Sequence, residues 1–106
     1  MDIEALEKMV AAGQESAMLC FTLGGAYLKA GDGNRAIASL ARAVELDPDY
    51  SAAWKLYGKA LVEVGRNDAA AVVYQRGIDI ANQRGDIQAA KEMQVFLRRL
   101  QKQKAQ

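Results

Sequence analysis

The chain has 106 residues, 51 % of them apolar and 25 % charged, with a formal net charge of +1. That balance describes one folded domain with a modest core and excludes disorder, a membrane-spanning run, and a global field that would recruit nucleic acid or a membrane surface. Histidine is absent and cysteine occurs once, which removes the commonest general base, the commonest metal ligand and any internal disulfide.

Helix signals alternate with short breaks along the whole chain. Asp2 caps a first helix over 2–12, in which Ile3, Leu6, Met9 and Val10 fall at helical spacing and which Gly13 ends. Residues 1–15 carry acids where an export signal needs a basic start, so the expected compartment is the reducing cytoplasm. Ser16 caps a second helix, roughly 17–30, closed by Gly31. A third helix has Asn34 as its expected N-cap, carries Ile37, Leu40, Ala41 and Val44 on one face, and stops before Pro48. Asp49 or Ser51 starts a fourth helix that runs through Val64 to Gly65. Asn67 or Asp68 starts a fifth, to about Asn82, and Gly85-Asp86 opens a sixth, to about Lys102. Six helices with such short connections pack as antiparallel sequential neighbours.

A pattern returns after 34 residues. Gly24 and Gly58, Ala26 and Ala60, Gly31 and Gly65, Ala36 and Ala70, and Arg42 and Arg76 are each 34 apart. A period of about 20–50 residues means stacked helical units. Gly24 and Gly58 let a paired helix approach closely, Ala36 and Ala70 do the same from the opposite side, and Tyr27, Leu40, Trp54 and Tyr74 fill the space around each crossing.

With Leu23, Gly24, Tyr27, Ala36, Leu40, Ala43 and Pro48 in one unit and Trp54, Gly58, Leu61, Ala70 and Tyr74 in the next, the chain resembles the tetratricopeptide repeat family. Departures are Cys20 in place of an aromatic, Tyr57 for Leu, Gly77 for the second Ala and Asn82 for Pro. The resemblance implies an all-α, right-handed stack of antiparallel helix pairs, an α-solenoid of about six helices in one domain. Residues 1–16 form an N-terminal cap, 17–50 and 51–84 two repeats, and 85–106 a C-terminal cap or truncated third repeat with a basic tail. In the last segment Ile87, Ala90, Met93, Val95, Phe96, Leu97 and Leu100 are expected to cover the back of the stack, leaving Lys91, Glu92, Arg98 and Arg99 nearer solvent.

No catalytic constellation stands out. Cys20 lies in the apolar stretch Met18-Leu19-Cys20-Phe21 with no neighbouring base, and reads as a structural thiol. Asp47 with Asp49, and Glu4 with Glu7, sit at turns and exposed helix faces, where capping explains them. The stretch Gly31-Asp32-Gly33-Asn34 lacks the lysine of a phosphate loop. The expectation is a non-catalytic protein without metal or cofactor.

The resemblance implies a peptide-binding groove lined by Phe21, Thr22, Gly25, Leu28 and Lys29 of the second helix and Lys55, Lys59, Val62 and Glu63 of the fourth. Lys55 and Lys59, four apart on one face, suit an acidic peptide with an apolar anchor, and solvated lysines are the plain alternative. Gly25 and Lys59 stand where chaperone-tail binders carry asparagines, so a chaperone carboxylate clamp is not implied. Arg98, Arg99, Lys102 and Lys104 have no aromatic interleaving and fit the helix macrodipole better than nucleic acid. Against them stands an acidic start with Asp2, Glu4, Glu7 and Glu15, so self-association through ends or groove is the alternative to an adaptor, scaffold or co-chaperone.

Overall fold

Helix-forming residues set between glycine punctuation marks fold as read. A computed structural model describes residues 2–105, and its elements are α1 (Ile3–Ala11), α2 (Ala17–Lys29), α3 (Gly33–Leu46), α4 (Ser51–Glu63), α5 (Asn67–Arg84) and α6 (Ile87–Ala105). There is no strand among the described residues.

The caps follow from local chemistry. Asp2 accepts from the Ala5 N–H at 2.8 Å and Ser16 from the Leu19 N–H at 3.1 Å, as expected. The third helix differs: Asp32, not Asn34, is the N-cap, accepting from the Arg35 N–H at 3.2 Å. Gly33 follows as the first helical residue, where a Cβ would strike the Val64 side chain. At the end of α4, Gly65 takes φ +80°, and the Arg66 N–H reaches back to the Leu61 carbonyl at 2.9 Å, closing the helix with a left-handed cap. The fifth helix outruns its expected end at Asn82. With no proline there, it continues to Arg84 until Gly85 turns the chain at φ +76°.

Each helix packs on the next, α2 against α3, α3 against α4, α4 against α5 and α5 against α6. In addition α2 touches α4 and α4 touches α6, whereas α3 and α5 do not meet. The layer whose members touch one another is the inner side of a curved stack, so α2, α4 and α6 form the concave face. The terminal helix α1 packs against α2 alone.

Small residues set the crossings. Ala36, Ala43, Ala53, Ala60, Ala70 and Ala81 are wholly enclosed. A Cβ on Gly58 would strike the Tyr74 ring, which is why the tyrosine can lie flat across α4. The departure at Gly77 has the same cause: a Cβ there would sit 2.6 Å from the Met93 sulfur and 2.8 Å from Trp54 Cβ. Tyr27, Leu40, Trp54 and Tyr74 are buried around these contacts.

Two apolar clusters result. One gathers Leu6, Leu19, Leu23, Tyr27, Ala36, Leu40 and Ala60; the other runs from Cys20 and Trp54 to Met93 and Leu100. Phe21, Ile37 and Tyr57 pack against both. In α6, Ala90, Met93, Leu97 and Leu100 are buried and Phe96 is half-buried, covering the stack as expected. Ile87 and Val95 correct that expectation, being 51 % and 44 % exposed. They lie off the seam that Ala90, Met93, Leu97 and Leu100 draw at helical spacing. Lys91, Arg98 and Arg99 are exposed as expected, and Glu92, its side chain 37 % exposed, also reaches α4.

Candidate functional site

The concave face holds two hollows separated by α4. The first, about 360 Å³, lies between α2 and α4 and is lined by Phe21, Thr22, Gly25, Ala26, Lys29 and Leu56. Gly25 contributes no side chain, so its floor opens onto Leu56, 3.7 Å from where a Cβ would stand. The second hollow, about 390 Å³, lies between α4 and α6. Lys59, Val62 and Glu63 line it from α4, Phe96, Arg99, Leu100 and Gln103 from α6, and Tyr74 from beneath.

The nine groove residues read from the sequence divide between these places. Phe21, Thr22, Gly25 and Lys29 share the first hollow, and Lys59, Val62 and Glu63 the second. Leu28 joins neither and packs against the N-terminal cluster. Lys55 joins neither as well. Its ammonium meets the Glu92 carboxylate at 2.5 Å, and Gln88 holds the other oxygen of Glu92 at 3.1 Å. The hydrogen bond from Lys55, with that from Gln88, keeps the Glu92 carboxyl below the usual glutamate range. Lys55 and Lys59 are thus neighbours on one helix with different electrostatic settings: one is paired with Glu92, and the other has no ion-pair partner among the described residues.

Among the described residues, Lys29, Lys59 and Arg99 have no carboxylate within ion-pair distance. Arg99 is held otherwise, its guanidinium 5.8 Å from the centre of the Phe96 ring. That ring in turn stacks on Tyr74, centroid to centroid 5.6 Å. Phe96, Arg99 and Gln103 escaped the sequence reading of the groove. The signal was their spacing of three and four along one helix face, legible once α6 is counted as a member of the inner layer.

Elsewhere the titratable groups serve packing. Burial, helped by Glu15, pushes the Cys20 thiol up, which keeps it protonated and unreactive near neutral pH. Burial pushes Tyr74 up to about 12. The Tyr27 hydroxyl donates to Glu7, tying α1 to α2. Among the described residues no helix is long and apolar enough to cross a membrane.

A sequence profile described as tetratricopeptide repeat matches residues 27–93. The chain is 52 % identical over 100 residues to the TPR repeat-containing protein PA0015 of Pseudomonas aeruginosa, covering 94 % of this chain and 95 % of that one. It is similar to the solution structure of protein BPP2914 from Bordetella parapertussis, with 42 % identity and a TM-score of 0.84 over 97 % of this chain and 90 % of that one. The TPR2B domain of yeast Sti1, solved in a complex with pHsp70, shares the fold at 20 % identity, with a TM-score of 0.86 over 95 % of this chain and 81 % of that one.

Proposed function

The chain belongs to the tetratricopeptide repeat family, and from that premise we propose that it is a non-catalytic adaptor or scaffold whose concave face binds a peptide or helix of a partner protein. The observation that carries this reading is the inner layer itself. Two open hollows sit there side by side, each with an aromatic ring, Phe21 or Phe96, beside a cation that no carboxylate engages among the described residues. Such a surface suits an acidic partner with apolar anchors. The single thiol, buried and protonated, needs no oxidising compartment and supports a cytoplasmic setting.

The test compares proteins captured from source-cell lysate by the wild type and by Lys29→Glu/Lys59→Glu, with circular dichroism confirming that the variant is folded. Both lysines are exposed and make no ion pair among the described residues, so the fold is expected to persist. Partners captured by the wild type and lost by the variant support the reading. Identical captures overturn it.

Self-association is the second reading, favoured by Val72, which is 69 % exposed on α5, and by Ile87 on α6. Light scattering over a concentration series decides it: a mass that stays monomeric at high concentration removes this alternative.

A further inference from the structure

The two hollows of the concave face are not equivalent. The α2–α4 hollow has one cation, Lys29, and a floor opened by Gly25 and Ala26. The α4–α6 cleft has an apolar floor of Phe96, Tyr74, Leu100 and Val62, with Lys59 on one wall and Arg99 on the other. We propose that this α4–α6 cleft is the specificity pocket of the docking face, taking one large apolar side chain from a partner segment that carries side-chain carboxylates on both flanks. The proposal rests on the reading that the concave face is where the partner docks.

Three observations converge on that occupant. The volume, about 390 Å³, lies near the lower end of the roughly 300–1,000 Å³ of ligand pockets, which suits a single side chain and its backbone. The floor is built of rings already stacked on each other, Phe96 on Tyr74, so the anchor meets a surface that needs no reordering. The cations stand on opposite helices and bracket that floor. Arg99 is restrained by its own contact with Phe96, and its planar fork can receive a carboxylate through two hydrogen bonds.

The charge balance narrows the choice further. Glu63 is the one carboxylate lining the cleft among the described residues, against Lys59 and Arg99. Lys55, the next cation along α4, is already satisfied by Glu92, so among the described residues Lys59, at the cleft, is the α4 cation left without an ion pair. A terminal carboxylate would engage one wall only. Acidic side chains on both sides of an apolar residue engage both.

The probe is a fluorescein-labelled seven-residue peptide with a central phenylalanine and two glutamates on each side, acetylated and amidated, titrated with the full chain by fluorescence anisotropy. Binding is expected, weakening as salt is raised. Lys59→Gln and Arg99→Gln should each reduce affinity about tenfold, and alanine for the probe's phenylalanine should do as much. Lys8→Gln, on α1 and outside both hollows, should leave affinity unchanged. Both walls are exposed, so these variants are expected to fold, as circular dichroism checks. Absence of binding to the wild type overturns the inference, as does displacement of the probe by a second copy of the chain. Loss with Lys29→Gln alone moves the pocket to α2–α4 and leaves the docking face standing. Backbone amide shifts confined to α3 and α5 on titration defeat both the pocket and the docking face.

Discussion

The Lys55 ammonium of α4 lies 2.5 Å from the Glu92 carboxylate of α6, joining two helices of the inner layer that are 37 positions apart in sequence. Both side chains are a little over one-third exposed, so solvent screens the pair and its effect on stability is small at neutral pH. Its direction with pH is definite. The folded state holds the Glu92 carboxyl below its ordinary value, so the contribution is present above the unfolded value of about 4.3 and is lost as pH falls. The urea midpoints of wild type and Glu92→Gln should therefore converge as pH is lowered from about 6 to about 3. A gap that stays constant would sink this account. Reversal by Lys55→Glu places two carboxylates together and should loosen α6, visible as faster amide exchange there.

Glycine at two positions of the stack should respond to alanine with opposite sign. At Gly77 the new methyl strikes Met93 and Trp54, and overpacking outweighs the gain in helix propensity, for a net loss of about 1–2 kcal/mol. At Gly25 the methyl meets Leu56 at an ordinary 3.7 Å, and the helix should gain about 0.5–1 kcal/mol. Chemical denaturation measures both. A Gly25→Ala protein less stable than wild type contradicts the open floor of the α2–α4 hollow.

Tyr74 should ionise well above the ordinary tyrosine range. Burial raises its value to about 12 in the folded protein. A neutral acid favoured by folding stabilises the fold up to its unfolded value, about 10, and that contribution is lost as pH rises through the folded value. Phenolate absorbance should thus include a step near the folded value of Tyr74 that coincides with loss of helical circular dichroism, and Tyr74→Phe should remove that step.

Trp54 is the single tryptophan, buried, with its Nε1–H donating to the Pro48 carbonyl at 2.7 Å. Trp54→Phe leaves that carbonyl without its donor and a gap where the larger indole stood, for a loss of about 1–3 kcal/mol by thermal or urea unfolding. The wild-type emission should be blue-shifted and should move to the red in one step with unfolding.

Much of the architecture was legible because it is written locally. The recurrence of Gly31 at Gly65 marks equivalent turns, and Gly24 at Gly58 marks equivalent helix crossings, as the positive φ values and the Leu40 and Tyr74 contacts bear out. What escaped depends on register between helices distant in sequence. No local pattern tells that Glu92 meets Lys55, because that depends on how far α5 runs before Gly85 turns the chain. Phe96 reads from sequence as a core residue, and only the stacking of α6 beside α4 shows that its ring edges a cleft with Arg99 above it. Ile87 and Val95 are apolar yet exposed, since α6 buries only the seam of Ala90, Met93, Leu97 and Leu100.

Phe21, Ile37 and Tyr57 touch both apolar clusters, and that double contact sets how the molecule comes apart. In a linear array each unit leans only on its neighbours, so the joints decide whether the chain melts as one body or peels from an end. Trimming these three side chains would split a single transition into two. One of them, Phe21, also lines the α2–α4 hollow, so an occupant of that hollow would grip the joint itself and make the two halves melt together.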